Sequence, residues 1–160
     1  NYHFGSKENL VHEVFKSRMD EMSEKRLHAL QLAVEKDPDD LEGILMAFIQ
    51  PALALTLDRH GASFVRVLVR AYAEKNDGLR NFLSENYGQV LREFAKAISR
   101  ILPQLSKEEL YWRMDFTAGA LTYAMADFGL IRRQSGVSEK SHCEKAARHL
   151  ITFAQAGLRA

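Results

Sequence analysis

Apolar residues recur every three or four positions through almost the whole of this 160-residue chain. Because an α-helix completes a turn in about 3.6 residues, this spacing gathers apolar side chains on one helix face. Only three prolines and nine glycines interrupt the pattern, and most of them fall between the periodic segments. The sequence therefore predicts an all-α bundle of six helices, over residues 6 to about 36, 41–57, 63 to about 75, 79 to about 102, 106 to about 132 or 133, and 138 or 139 to nearly 160.

The charges nearly balance, with 22 basic and 21 acidic residues and a formal net charge of +1. This balance excludes a general electrostatic attraction to nucleic acid or to an anionic membrane. Cys143 is the single cysteine, so no internal disulfide forms, and the first residues lack the apolar run of a signal peptide. The longest apolar stretches, 44–57 and 116–131, are interrupted and too short for a membrane span. We therefore expect a soluble protein in the reducing cytoplasm.

The second predicted helix is apolar on nearly every side, which indicates a central, buried position. Pro51 lies inside it and cannot donate a hydrogen bond to the preceding turn, so we expect a kink that opens space beside the helix. The predicted cavity lies against the fourth and fifth helices and is bordered by some of ten large side chains: Phe48, Leu55, Phe64, Leu68, Tyr87, Leu91, Phe94, Trp112, Phe116 and Tyr123. The open alternative is that these side chains only fill the core.

Three polar side chains are candidates for holding the polar end of a ligand in such a cavity: Tyr87, Tyr123 and Arg66. Arg66 and Arg70 lie one turn apart on the otherwise apolar third helix. The alternative for these two arginines is a solvated stripe in which Arg70 pairs with Glu74.

The last two predicted helices carry more apolar surface than one partner covers. On the fifth, one apolar line includes Leu121 and Met125, and a second line, about 100 to 200 degrees away, includes Phe116 and Tyr123. We expect one face to close the core and the other to meet a second copy of the chain. The predicted contacts of this homodimer are Leu121, Met125, Leu150, Phe153, Ala154 and Gly157.

Motifs for catalysis or metal binding are weak in this sequence. One Glu-x-x-His pair, Glu139 and His142, lies beside Cys143, but a carboxylate di-metal bundle needs two such motifs and further glutamates. The other histidines are scattered, and the sequence contains no glycine-rich phosphate loop, nucleophile elbow or HExxH motif. We therefore expect no catalytic residue, no metal and no cofactor.

The opening segment, Asn1-Tyr2-His3-Phe4-Gly5-Ser6-Lys7-Glu8-Asn9-Leu10, resembles the end of the DNA-binding module of TetR-family transcriptional regulators. The resemblance implies that residues 1–5 end the recognition helix and that residues 6–160 form the effector-binding and dimerisation domain. It also implies that Tyr2, His3 and Lys7 contact DNA phosphates, and side chains of these types close to a helix N-terminus suit a phosphate. The resemblance further implies that most of the helix-turn-helix lies outside this sequence.

Further along, the chain is similar to the C-terminal domains of PsrA-like regulators at Leu102-Pro103, 106–110, Trp112-Arg113, Phe116 and Gly119-Ala120-Leu121. Such regulators tend to sense fatty-acid-derived ligands. The resemblance implies a homodimeric, ligand-responsive repressor that binds a small apolar effector of fatty-acyl type and binds operator DNA through the missing module. The alternative is a helical-bundle enzyme or a lipid-binding carrier with an apolar pocket.

Overall fold

The computed structural model describes residues 6–74 and 77–160, without the side chains of residues 6–12, 71, 72 and 79. The described part of the chain contains no strand, and its helices are α1 (Ser6–Lys36), α2 (Leu41–Leu55), α3 (Gly61–Ala73), α4 (Asp77–Ile101), α5 (Lys107–Met125) and α6 (Glu139–Arg159). The predicted all-α bundle of six helices is confirmed. Over the residues described, none of these helices is both long and apolar enough to cross a membrane.

Helix α2 occupies the centre of the bundle, as its sequence predicts. Nine of its 15 residues are buried, and Ile44 and Ile49 are completely so. It packs against α1, α4, α5 and α6, so its different sides are covered by different helices. The helix continues through Pro51 to Leu55, although Pro51 has no N–H to donate to the carbonyl of Ala47.

Serine residues cap the N-termini of the last two helices. Ser106 Oγ accepts a hydrogen bond from Glu109 N at 3.1 Å, and Ser138 Oγ accepts one from Ser141 N at 3.1 Å. Each bond satisfies a backbone N–H of the first helical turn, which has no carbonyl partner within the helix. Both helices therefore begin where the sequence predicts.

Helix α5 ends at Met125, several residues before its predicted end. Asp127 adopts a left-handed backbone conformation with a φ of 54°, which aspartate tolerates better than most residues and which stops the helix. The Tyr123 hydroxyl donates to the Phe128 carbonyl at 3.1 Å and holds the turn. The apolar residues that follow belong to a loop, in which Leu130 is almost fully exposed.

Candidate ligand-binding cavity

A cavity of about 310 Å³ lies between α1, α2, α4 and α5. Its volume is at the lower end of the range for small-molecule sites, roughly 300 to 1,000 Å³, and its walls are mostly apolar with a few polar side chains. The lining residues, with Leu68 contributed by α3, are Met19, Met22, Ser23, Arg26, Phe48, Ala52, Leu68, Leu83, Ser84, Tyr87, Gly88, Val90, Leu91, Tyr111, Met114, Asp115, Ala118, Leu121, Thr122 and Met125.

Small residues on two helices keep this space open. Ala52 of α2 and Ala118 of α5 line the cavity at positions where larger side chains would reduce its volume. Gly88 of α4 also lines the cavity, but a Cβ at this position would meet the side chain of Arg92. Methionines complete much of the wall, and their flexible side chains adapt to a ligand more readily than branched ones. One face of α5 forms a continuous part of the wall because its lining residues follow the helical period: Met114, Ala118, Leu121 and Met125.

One buried cation, Arg26 of α1, belongs to the cavity wall. Only 9% of this residue is exposed. Its Nε donates to the Phe48 carbonyl oxygen at 2.8 Å, and its guanidinium carbon lies 3.8 Å from the centroid of the Phe48 ring. These two contacts hold the charged group against α2. Sequence reasoning missed Arg26, although the buried Met19, Met22 and Leu30 lie at helical spacing from it and mark this face of α1.

Tyr87 of α4 is hydrogen-bonded to α1 at the edge of the cavity. This residue lines the cavity, and its hydroxyl donates to Asp20 Oδ1 at 2.9 Å. Asp20 also accepts a 2.8 Å hydrogen bond from Lys16 Nζ, which is the main cause of the lowered pKa of Asp20, and Tyr87 contributes less. Burial, together with the adjacent Asp20 carboxylate, raises the pKa of Tyr87. Tyr87 is therefore a neutral phenol that links α4 to α1.

Four of the ten residues predicted for the pocket line this cavity: Phe48, Leu68, Tyr87 and Leu91. Three others are buried in the core away from it. Phe64 stacks on Phe15 with ring centroids 5.3 Å apart, and Phe94 meets Phe48 edge to face at 5.2 Å. Leu55 is also buried, near the end of α2. These three side chains are part of the packed core rather than of the cavity wall.

On α5, the residues predicted at the pocket are exposed, and those predicted at the dimer interface are buried. Trp112, Phe116 and Tyr123, predicted at the pocket, are 55%, 65% and 54% exposed and lie outside the cavity. Leu121 and Met125, predicted at the dimer interface, are buried and line the cavity. Both faces are apolar, so their composition did not distinguish them. The face that packs against the rest of the bundle is the one with Leu121 and Met125.

Of the four predicted dimer residues of α6, two are buried and two are exposed. Leu150 and Ala154 are buried in the bundle, because α6 packs against α2 and α5. Phe153 and Gly157 are exposed. Of the six predicted interface residues, these two alone lie on the surface of the chain.

Arg66, the predicted polar anchor, lies outside this cavity on the exposed side of α3, where its Nη2 donates to Ser63 Oγ at 3.3 Å. Arg70 pairs with Glu74 at 2.8 Å, as the solvated alternative predicts. The predicted DNA contacts lie outside the described residues: Tyr2, His3 and the side chain of Lys7.

The Glu-x-x-His pair lies on the first turns of α6, where Glu139 is exposed and His142 is half-buried. Cys143 Sγ lies 3.7 Å from Thr56 Oγ1. Within the described part of the chain, no three His, Cys, Asp or Glu side chains come together in a group that could hold a metal ion.

Six helices around an apolar cavity with one buried cation in its wall define an all-α domain with a ligand-sized site. A family model described as the tetracyclin repressor-like, C-terminal domain matches residues 46–157, which is more than half of the chain. The chain therefore belongs to the tetracyclin repressor-like family, and its membership points to a regulator rather than an enzyme. No curated protein matches the chain. The resemblance to TetR-family regulators is confirmed, and the finer likeness to PsrA-like regulators stays a prediction.

Proposed function

We propose that this domain binds a small apolar effector in the cavity and thereby controls a DNA-binding helix-turn-helix module that precedes α1. The observation that carries the proposal is the contribution of α1 to the cavity wall, through Met19, Met22, Ser23 and Arg26. The start of the same helix lies in the segment 1–10 that resembles the junction with a DNA-binding module. The same helix, α1, would therefore both contact the effector and connect to the DNA-binding module.

In this proposal the effector acts by favouring one setting of α1. A ligand shifts a conformational equilibrium only if it binds the two settings with different affinities. A helix that forms one wall of the site meets this condition, because moving it changes the ligand's contacts. In a dimer, a small rotation of α1 changes the distance between two recognition helices, and therefore the operator half-site spacing that they match. We expect the protein to act as a repressor when α1 is in the setting that places the two recognition helices at the half-site spacing of the operator.

The proposed homodimer forms through the outer sides of α5 and α6. Trp112 and Phe116 lie on α5 with ring centroids 5.7 Å apart and are both more than half exposed. On α6, Phe153 is 67% exposed. Large apolar side chains exposed on two neighbouring helices are typical of a protein interface. A two-fold axis would bring the same surface of two copies together.

A ligand titration of the chain by calorimetry tests the effector site. With linear alcohols of increasing length, affinity should rise by up to about 0.8 kcal/mol per added methylene until the cavity is full, and then fall. Ala118→Phe places a ring in the cavity and should abolish binding. Ala73→Phe makes the same substitution at an exposed position of α3 and should leave binding unchanged. Equal affinities in the two variants would show that the ligand does not occupy this cavity.

A lipid carrier with the same cavity would give the same titration, so DNA binding separates the two functions. In a regulator, a ligand that changes operator affinity is itself bound with a changed affinity in the presence of operator, by the same factor. We expect this coupling when the chain is joined to its helix-turn-helix module. Operator affinity that is independent of ligand would favour the carrier.

A further inference from the structure

Gly119 is a glycine inside α5 that is exposed to solvent. Inside a helix, glycine is less favourable than alanine, because its backbone loses more freedom when the helix forms. Among the described residues, a Cβ atom added at Gly119 would contact nothing within 4 Å beyond its chain neighbours and the backbone of its own helix. Packing within the single chain therefore does not require a glycine at this position.

Gly119 belongs to a row of residues with the spacing of a helix-to-helix contact. Trp112, Phe116, Gly119 and Tyr123 are separated by four, three and four residues, and all four are exposed. This alternation keeps one side of a helix against a partner helix, where large side chains fit into holes between residues of the partner. Because glycine has no side chain, position 119 forms a notch between Phe116 and Tyr123.

Helix α6 adds to the same surface. Arg113 Nη1 donates to the Gly157 carbonyl at 3.0 Å, which holds the C-terminal end of α6 against α5. Gly157 is exposed, and over the described part of the chain a Cβ added there would likewise contact nothing within 4 Å. Phe153, one turn earlier, is 67% exposed. Large side chains and notches therefore occur on both helices.

The size of this surface suits a stable protein contact. Its four aromatic side chains, and Phe128, Leu130 and Ile131 of the loop after α5, are each at least 54% exposed. The Phe128 ring lies 5.9 Å from that of Tyr123, so the loop adjoins the row on α5. Side chains of this size bury roughly 150 to 250 Å² each, so the seven together supply roughly 700 Å² or more. A standard interface buries about 800 Å² per partner.

The composition of the surface indicates that the partner is a second copy of the chain. A two-fold axis pairs a surface with itself, so an isologous dimer needs one surface that holds both complementary parts. Here the large side chains and the notches lie on the same surface. The aromatic side chains of one copy can therefore enter the notches of the other.

The notch at Gly119 also lies beside the mouth of the cavity. Asp115 of α5 and Ser84 and Leu91 of α4 line the cavity and are exposed, so the cavity opens to solvent between these two helices. Gly119 follows Asp115 by four residues, and residues at this spacing are neighbours on a helix surface. A side chain that fills the notch therefore lies next to the mouth.

We infer that a second copy of this chain packs a large apolar side chain into the notch at Gly119 and thereby borders the mouth of the cavity. The inference rests on the proposed function. It goes beyond the proposed dimer by naming the contact and by making the partner a part of each effector site. Dimerisation and effector binding are then coupled, because a ligand that reaches the mouth loses contacts when the partner leaves.

Substitutions of Gly119 test the contact by sedimentation at micromolar concentration. Gly119→Ala should weaken the dimer about fivefold or more, because the added atom overfills a close contact, and Gly119→Leu should give a monomer. Both residues form helices better than glycine, so urea denaturation should show that neither variant is less stable as a fold. Ala73→Leu enlarges an exposed residue of α3 and should remain dimeric.

Calorimetric titration with decanol tests the role of the partner at the mouth. We expect the monomeric variant Phe153→Asp to bind decanol about fivefold or more weakly than the unmodified dimer, because part of the ligand becomes exposed to water. This variant changes α6 and leaves the residues of the mouth intact. Conversely, excess decanol should strengthen the dimer of the unmodified protein in sedimentation, since the coupling is reciprocal.

The outcomes separate the failure of this inference from the failure of the proposed function. An undiminished dimer in Gly119→Leu would overturn the contact at the notch and leave the effector site intact. Equal decanol affinities of dimer and monomer would overturn the role of the partner at the mouth. A dimer that binds no decanol or other linear alcohol would overturn the proposed effector site, whereas a monomeric unmodified chain would overturn the proposed dimer and the inference with it.

Discussion

Tyr87 of α4 lines the cavity and forms a hydrogen bond with a side chain of α1. Its hydroxyl donates to Asp20 Oδ1 at 2.9 Å, from a side chain that is otherwise buried. Tyr87→Phe keeps the ring and removes this bond, so we expect the free energy of unfolding to fall by about 1 kcal/mol. Urea denaturation of the single variants and of the double variant with Asp20→Ala measures the coupling. Additive effects of the two substitutions would show that the bond contributes nothing to stability.

The carboxyl group of Asp20 gives a second prediction, about pH. Its pKa is lowered from 3.8, mainly by the hydrogen bond from Lys16 and less by that from Tyr87. Lys16→Met should therefore raise the pKa of Asp20 more than Tyr87→Phe does, as measured by an NMR titration of the carboxyl carbon. Because the pKa is lower in the folded state, the stabilisation is present above pH 3.8 and is lost as the pH falls through the folded-state pKa. An unchanged pKa in Lys16→Met would contradict the assigned cause.

The size of that pH effect should be small. The Asp20 side chain is 46% exposed, and water screens its interaction with Lys16. We therefore expect the hydrogen bond between Tyr87 and Asp20 to align α1 with α4 rather than to dominate the stability of the bundle.

At the scale of the helices, Arg113 joins α5 to the C-terminal end of α6. Its Nη1 donates to the carbonyl oxygens of Gly157, Leu158 and Ala160 at 3.0, 3.1 and 2.7 Å, and its side chain is 22% exposed. A cation at a helix C-terminus also interacts favourably with the helix dipole. Arg113→Met should lower the free energy of unfolding by about 1 to 3 kcal/mol, measured in urea.

A matched control for this prediction lies on α6 itself. Arg148 is exposed, so Arg148→Met should change the free energy of unfolding by no more than about 0.5 kcal/mol. Equal losses in the two variants would mean that the carbonyl contacts of Arg113 do not hold α5 and α6 together.

At the scale of the whole molecule, the exposed aromatic side chains of α5 and α6 predict the oligomeric state. A homodimer through this surface should bury a standard interface, about 1,200 to 2,000 Å² in total. Phe116→Glu and Phe153→Asp place a charge on side chains that are 65% and 67% exposed in the single chain, and each should give a monomer. Sedimentation at micromolar concentration measures this change.

The control for the dimer is an apolar residue of another helix that is also more than half exposed. Leu32 of α1 is 53% exposed, and Leu32→Glu should remain dimeric. A monomeric unmodified chain would remove the proposed interface, and a dimer that persists in both aromatic variants would place the interface on another surface.

Features that depend on neighbours along the chain could be predicted from the order of residues alone. The helical period predicted six helices, and serines at Ser106 and Ser138 marked where two of them begin. The apolar residues on every side of α2 predicted its central position. These features follow from local spacing and local hydrogen bonds, which the order of residues contains directly. The end of α5 did not follow, because Phe128, Leu130 and Ile131 continue an apolar pattern that the turn at Asp127 interrupts.

The side chains that surround the cavity could not be predicted in this way, because they come from helices that are distant in the sequence. Both faces of α5 are apolar, and the sequence does not say which one the other helices cover. Leu121, predicted at the dimer interface, therefore lines the cavity, and Trp112, predicted at the pocket, is exposed. Arg26 follows Glu24 and Lys25 in a run of charged residues, and its burial depends on Phe48 of α2, which is 22 residues away. Burial is a property of packing between distant segments, whereas periodicity describes one segment at a time. For that reason the sequence predicted a cavity beside α2, and the fold decided what lines it.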